Sequence, residues 1–196
     1  VIHMNYAQTL GEKAKAAAPK MAAASPKLKN NALAAVAQAL LSKKEEIKAA
    51  NALDLTAAKE NNMSAAMQDR LRLTDARIED MAKAIDQLIA MDDPVGTVTG
   101  GSVRPNGLRI MKTRVPLGSI GIIFESRPNV TVDAATLCLK AGNTVLLRGG
   151  KEAINSNKAM TAIMRSAVAK AGLPEDCIQL VEDTSRDSAV ALMKMN

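Results

Sequence analysis

The chain has 196 residues, of which 47% are apolar and 23% charged, and its formal net charge is +6. These proportions are typical of a folded globular protein and exclude a disordered chain, a collagen-like chain and a disulfide-stapled miniprotein. No apolar run reaches the roughly 18 residues of a membrane-spanning helix, so no membrane partner is expected. Tyr6 and Phe124 are the only aromatic residues, which argues against nucleic acid as a partner because bases stack on aromatic rings.

Histidine and cysteine are scarce. The single histidine, His3, lies in the opening Val1–Met4, which we interpret as a tag remnant before a native methionine. Cys138 and Cys177 are 39 residues apart without a CxxC partner or a nearby histidine, so we predict no metal site and a core position for both thiols. No secretory leader opens the chain, which favours a cytoplasmic protein.

The first half of the chain is predicted to be helical. Residues 1–92 hold one glycine and many good helix formers, whereas residues 93–150 hold nine glycines. Ser25, Ser64 and Thr74 are predicted N-caps, and Ser42 with Glu45 has the spacing of a capping box. The predicted helices cover 5–18, 26–41, 43–61, 64–70 and 74–91.

A β-hairpin is predicted over residues 95–115. Pro94 ends the preceding helix, and a turn at 105–107 separates two strands. Neither face of the second strand is purely apolar, and an isolated hairpin is marginal in water. We therefore expect this ribbon to pair with another sheet or another subunit, which predicts a homo-oligomer.

Strands and helices alternate after Pro116. The patterns predict strands at 117–124, 144–147 and 178–181, with helices at 131–141, 155–171 and 185–195, and the first strand is expected to be buried. Such alternation is typical of α/β folds. The fold class is therefore α/β: a Rossmann-like parallel sheet with helices on both faces, preceded by an α-helical segment and a β-hairpin.

Positive charge is concentrated between residues 101 and 151. This stretch has a net charge of +6, so the rest of the chain sums to zero. A basic cluster at strand ends suggests a phosphate-bearing ligand, and a solvated basic surface is the alternative.

Two predicted strand ends carry the candidate site. Ligands of a doubly wound sheet bind beyond the carboxyl ends of its strands, here at 125–129 and 148–151. Gly149 and Gly150 would let the backbone approach a ligand. Arg148 and Lys151 are cations where many dinucleotide folds place an acid, and a cation suits a 2′-phosphate. The G-x-G-x-x-G fingerprint is absent, so this argument is suggestive only.

The sequence also resembles a known family. The stretches RVPLGSIGIIFESRPNVTVD (114–133) and LKAGNTVLLRGGKE (139–152) are similar to the gamma-glutamyl phosphate reductase family, part of the aldehyde dehydrogenase superfamily. Asp69-Arg70-Leu71 and Asp93-Pro94-Val95-Gly96 fit the same family upstream. The resemblance runs from about residue 5 to the end, although members are about twice as long.

The resemblance implies an activity and a cofactor. Members reduce L-glutamyl 5-phosphate with NADPH to L-glutamate 5-semialdehyde, releasing phosphate, in proline biosynthesis, through a cysteine thiolate. Neither cysteine here lies in a segment like the family's nucleophile motif. The implied architecture is N-terminal helices (1–93), an oligomerisation ribbon (94–115) and an NADP-binding Rossmann-like domain (116–196), with the catalytic domain absent.

Individual roles follow from the matched positions. Asn129 corresponds to the asparagine whose amide stabilises the oxyanion, with a helix cap as the alternative. Arg148 and Lys151 occupy positions near the adenosine ribose. The expected cofactor-binding residues are Glu125, Ser126, Arg127, Arg148, Gly149, Gly150 and Lys151, although Arg127 has a surface ion pair as its alternative.

Three other functions stay open at this stage. They are another acyl-reducing member of the superfamily, a non-catalytic nucleotide-binding or scaffolding module and, more distantly, a basic nucleic-acid binder.

Overall fold

A computed structural model describes residues 2–195, and side chains from residue 6 onward. Val1 and the side chain of His3, both in the predicted tag remnant, lie outside that description.

Five helices form the first half of the molecule, as predicted. Three of the predicted N-caps are confirmed: the backbone N–H groups of Leu28, Met67 and Arg77 donate to the hydroxyls of Ser25, Ser64 and Thr74. The helices are α1 (Ile2–Ala22), α2 (Pro26–Ser42), α3 (Lys44–Glu60), α4 (Ala65–Leu71) and α5 (Asp75–Ala90).

The first helix is longer than predicted. It continues through Pro19, although proline lacks the N–H that a helix interior uses. Met21, beyond the proline, is completely buried, as is Ala14 on the same helix. Burial of this apolar stripe stabilises the extra turn.

The predicted capping box at Ser42 is wrong. Ser42 is the last residue of α2, and its hydroxyl donates to the carbonyl of Ala39 instead of accepting from α3. Lys43 alone separates the two helices, and α3 begins without a side-chain cap. The hydrogen bond from the hydroxyl to a carbonyl of its own helix replaces the capping hydrogen bond, because a serine side chain can bond either to a nearby carbonyl or to a helix N–H.

The ribbon is an exposed antiparallel hairpin. Strands β1 (Val98–Val103) and β2 (Arg109–Thr113) pair with each other, and every residue of both is exposed. Gly107 has a φ of +86° in the connecting turn, a conformation that favours glycine. The predicted turn and strand pairing are confirmed.

The remaining strands form the predicted parallel sheet, in the order β3-β4-β5. β3 (Ser119–Ile123) leads to α6 (Asn129–Lys140), β4 (Thr144–Arg148) to α7 (Ile154–Lys170), and β5 (Ile178–Leu180) to α8 (Arg186–Met193). The expectation of a buried first strand is wrong. β3 is an edge strand of this sheet, and its residues alternate between exposed and half-buried.

Helices cover both faces of the sheet. Leu146 of β4 packs on one face against Ala14 of α1 and Leu192 of α8. The flanking Val145 and Leu147 belong to the main core on the other face, which includes apolar residues of α2, α5, α6 and α7. The period-two alternation of β4 thus joins the helical first half to the sheet.

Within residues 2–195, no helix is long and apolar enough to cross a membrane.

Candidate functional site

The carboxyl ends of β3 and β4 bring the predicted site residues together. The register pairs Ile123 with Arg148, so both strands end side by side. The Phe124 N–H then donates to the Arg148 carbonyl at 3.0 Å, and the Gly150 N–H to the Glu125 carbonyl at 3.5 Å. Segments 125–129 and 148–151 therefore form one surface, as the sequence predicted.

A side-chain contact reinforces this junction. The Ser126 hydroxyl donates to Oε2 of Glu152 at 3.0 Å, which links the loop after β3 to the loop after β4. Ser126 is half-buried, while Glu125, Arg127 and Lys151 are exposed. The exposed charges are available to a ligand, whereas Ser126 holds the two loops together.

The two glycines are required by packing inside the protein. A Cβ on Gly149 would lie 2.3 Å from Nδ2 of Asn157 and 3.0 Å from the Phe124 ring. A Cβ on Gly150 would lie 2.7 Å from Oε2 of Glu152. Close approach to α7 and to the Phe124 ring thus explains Gly149 without a ligand, and close approach to the Glu152 carboxylate and the loop after β3 explains Gly150.

The guanidinium of Arg148 is already bound to the protein. Its Nη2 donates to the carbonyls of Thr184 at 2.7 Å and Ser185 at 3.0 Å. These carbonyls immediately precede α8, so Arg148 ties the end of β4 to the segment that follows β5. Lys151 lies at the same end of β4 without an ion pair among the described residues.

Asn129 is the first residue of α6, whose N-cap is Pro128. Its amide Nδ2 donates to Oδ2 of Asp133, one turn later, at 3.2 Å. No side chain caps this helix, so the helix-cap alternative for Asn129 is wrong. Burial raises the pKa of Asp133, and the Asn129 hydrogen bond partly opposes that effect. Asp133 fixes the amide orientation and leaves its second N–H for another acceptor.

Asn129 also lines a cavity of about 400 Å³. It is lined by the end of α4 and by α5, and also by the segment that enters α6 and the first turn of that helix. The lining residues are Asp69, Arg70, Arg72, Leu73, Arg77, Asp80, Met81, Ala84, Arg127, Asn129 and Asp133.

One arginine builds the wall of this cavity. Arg77 donates from Nη1 to the carbonyls of Asp69 and Arg72, the latter at 2.7 Å, and from Nη2 to the Asp69 carboxylate at 3.1 Å. Arg70, Arg72 and Arg127 make no ion pair with any described residue, and the surface ion pair given as the alternative for Arg127 has no partner among those residues. Sequence reasoning assigned no role to Arg70 or Arg72, although Asp69-Arg70-Leu71 was one of the motifs carrying the resemblance.

The basic segment 101–151 does not form one surface. Arg104, Arg109, Lys112 and Arg114 belong to the exposed ribbon or its ends, and the ribbon strands form a sheet separate from the parallel strands. Lys140 is 4% exposed and donates inside the fold to Asn30 and to the Ile89 carbonyl. The expectation of a single cluster at the strand ends is therefore wrong. Arg127, Arg148 and Lys151 are the members at that edge.

Both cysteines are buried free thiols, as predicted. Burial raises the pKa of Cys138 to about 11 and that of Cys177 to about 12, the latter despite the opposing charge of Arg165. A thiol with so high a pKa is a poor nucleophile at neutral pH because little of it is thiolate. No group of three or more potential metal ligands occurs among the described residues.

Comparison with known proteins gives a consistent result. The model of the aldehyde dehydrogenase family matches residues 5–196. A gamma-glutamyl phosphate reductase from Heliobacterium modesticaldum is 54% identical over 186 residues, which are 95% of this chain and 45% of that protein. One from Moorella thermoacetica is 52% identical over 96% of this chain and 45% of its own length.

A solved structure agrees. The crystal structure of gamma-glutamyl phosphate reductase from Thermotoga maritima matches with a TM-score of 0.94 and 41% identity, over 96% of this chain and 46% of that one. The chain thus spans a little under half the length of the relatives it matches.

Proposed function

Because this chain belongs to the aldehyde dehydrogenase family, we propose that it forms the cofactor-binding half of an NADPH-dependent reductase. The substrate would be L-glutamyl 5-phosphate and the products L-glutamate 5-semialdehyde and phosphate, a step of proline biosynthesis in the cytoplasm. The observation that carries this proposal is the identity of about half the residues, along nearly the whole chain, with proteins named gamma-glutamyl phosphate reductase.

The residues at the ends of β3 and β4 fit a phosphorylated dinucleotide. Lys151 is exposed just after β4, next to Gly149 and Gly150. A cation at this edge favours NADP over NAD because the 2′-phosphate is anionic. When bound, NADPH would supply the hydride. Segments 125–127 and 148–151 would hold it.

Asn129 would stabilise negative charge on the reacting carbonyl oxygen. Its amide is oriented by Asp133 and lines the cavity, so its remaining N–H is available to an oxyanion. Preorganised donors of this kind are effective because they need no reorganisation during the reaction. The buried thiols of Cys138 and Cys177 are unsuited to attack, so the nucleophile is expected outside residues 1–196.

The ribbon would join subunits. β1 and β2 expose Val98, Val103, Ile110 and Met111, and they contact no other strand of the described residues. Pairing with a second copy would cover these side chains, which favours a homo-oligomer.

The experiment is the reverse reaction in a full-length protein that carries this chain. L-Glutamate 5-semialdehyde and NADP are supplied with and without inorganic phosphate, and NADPH formation is followed by absorbance. We expect phosphate-dependent NADPH formation, and a lower rate with NAD. Turnover of simple aldehydes in preference to the semialdehyde would favour another acyl-reducing member, and no turnover with any of them would favour a non-catalytic module.

A further inference from the structure

The cavity beside Asn129 joins two motifs that are almost sixty residues apart in the sequence. Arg70 and Arg72 come from the end of α4, and Arg127 from the loop between β3 and α6. The two walls are held in place because α5 and α6 share the main core, where Ile78 and Val132 are completely buried. The cavity is thus built from packed elements.

The unpaired charge in the cavity is positive. Each lining carboxylate has a partner: Asp69 pairs with Arg77, Asp80 with Lys83 at 3.3 Å, and Asp133 accepts from Asn129. The guanidinium groups of Arg70, Arg72 and Arg127 have no such partner among the described residues. Three cations therefore face a cavity whose acidic groups are already occupied.

We propose that Arg70, Arg72 and Arg127 form a binding site for an oxyanion of a small acidic substrate, either a carboxylate or a phosphate. The planar guanidinium donates two parallel hydrogen bonds, a geometry that matches both anions. A volume of about 400 Å³ suits a small molecule. This inference rests on the proposed function, since it assigns to that substrate a place next to Asn129.

The reverse reaction separates the two anions. There the carboxylate is carried by L-glutamate 5-semialdehyde, while phosphate is a separate reactant with its own KM. Arg70→Gln, Arg72→Gln and Arg127→Gln are compared with the wild type in the full-length protein. Lys59→Gln is the matched control, because Lys59 is an exposed cation of α3 that does not line the cavity.

We expect at least one arginine variant to raise a KM about tenfold or more, while the control leaves both unchanged. A higher KM for phosphate identifies a phosphate site, and a higher KM for the semialdehyde identifies a carboxylate site. The inference is overturned if the wild type is active and no arginine variant changes either KM. If Arg70→Gln does not fold, Arg70→Lys is used instead. This variant keeps the charge but loses the two parallel hydrogen bonds of the guanidinium, so a smaller KM increase is expected.

A binding measurement keeps the inference separate from the proposed function. If the wild-type enzyme shows no turnover, the proposed function fails, and isotope-labelled residues 1–196 are titrated with inorganic phosphate or glutarate by NMR. We expect backbone amide shifts at Arg70, Arg127 and Asn129 that are lost in Arg70→Gln. Shifts confined to other residues, or an absence of shifts with both probes, would overturn the anion site.

Discussion

The side-chain amide of Asn129 uses one of its two N–H groups within the protein. Asp133 accepts one of its N–H groups, and the amide faces the arginine-lined cavity. Pro128 occupies the N-cap position of α6, and the Asn129 side chain accepts no hydrogen bond from a backbone N–H of the helix. The side chain therefore does not cap α6. Asp133 sets the orientation of the amide, and the second N–H of the amide is left for a ligand in the cavity.

Replacing Asn129 with alanine should lower kcat by about a hundredfold or more in the full-length enzyme, the typical effect of losing one oxyanion donor. NADP affinity and thermal stability should change little. Steady-state kinetics and a melting curve measure these effects. Asn61→Ala is the control, since Asn61 is an exposed residue that bonds the Ala57 carbonyl. Unaltered turnover with a large drop in melting temperature would contradict the catalytic role.

Lys151 is the better candidate for cofactor selection. The Nη2 of Arg148 donates to the carbonyls of Thr184 and Ser185, whereas Lys151 is exposed and makes no ion pair among the described residues. Arg148 thus fixes the segment that enters α8 through Nη2, while its Nε has no hydrogen-bond partner among the described residues.

Lys151→Glu should shift the preference from NADP toward NAD by about tenfold or more, because a charge-assisted contact to the 2′-phosphate is replaced by repulsion. The ratio of kcat/KM for the two cofactors measures the shift. Lys170→Glu makes the same charge change at the opposite end of α7 and should leave the ratio unaltered. An unchanged ratio in Lys151→Glu would remove it as the selector.

At the scale of elements, a buried polar network joins α2, α5 and α6 to the base of the ribbon. Lys29 is 1% exposed, and its Nζ contacts the Asp93 carboxylate at 2.7 Å and the Lys140 carbonyl at 3.1 Å. The Lys140 Nζ donates in turn to Asn30 and to the Ile89 carbonyl. This network fixes where α5 ends and the ribbon begins.

Lys29→Met should reduce the free energy of unfolding by about 3 to 5 kcal/mol at neutral pH, because it leaves the Asp93 charge largely buried without its partner. Urea unfolding of residues 1–196 measures this loss. Lys27→Met, an exposed position in the same helix, should cost far less. Equal losses in the two variants would show that the network contributes nothing.

The same pair predicts a pH dependence. Burial alone would raise the pKa of Asp93, but hydrogen bonds from Lys29 and the Val95 N–H, with the Lys29 charge, hold it below its ordinary value of 3.8. A lowered carboxyl pKa adds stability above the unfolded value, and that stability is lost as the pH falls through the folded one. The difference between wild type and Lys29→Met should therefore shrink below about pH 4.

For the whole molecule, local patterns predicted the elements far better than their surroundings. Strand and helix order, three caps and the hairpin turn follow from residues close in sequence, whereas the exposure of β3 depends on its place at the edge of the sheet. The Ser42 capping box failed because a nearby carbonyl competes for the hydroxyl.

Local patterns likewise predicted only some of the residues of the candidate site. The motifs at 125–129 and 148–151 lie at strand ends, a position that the α/β pattern itself specifies. Arg70 and Arg72 reach the cavity through the packing of α5 against α6, which no local pattern encodes. The binding of Arg148 to carbonyls near α8 is equally non-local, so the sequence predicted its charge but not its partner.

The cysteines give a prediction for the chain as a whole. Cys138 and Cys177 are buried, and their pKa values are raised to about 11 and about 12. Little of either thiol is therefore thiolate at neutral pH. Residues 1–196 alone should therefore not turn over L-glutamate 5-semialdehyde with phosphate and NADP, and iodoacetamide should label neither thiol until urea unfolds the chain.

Mass spectrometry measures the labelling, and NADPH absorbance compares residues 1–196 with the full-length enzyme at equal concentration. Circular dichroism on the same sample establishes that the shorter chain is folded, so that a lack of turnover reflects chemistry and not loss of structure. Nucleophilic attack requires an accessible thiolate close to the carbonyl. Because both thiols are inaccessible, residues 1–196 alone are expected to be inactive. Turnover by residues 1–196 that is lost in Cys138→Ser or Cys177→Ser would place the nucleophile within this half, and would contradict the roles proposed above.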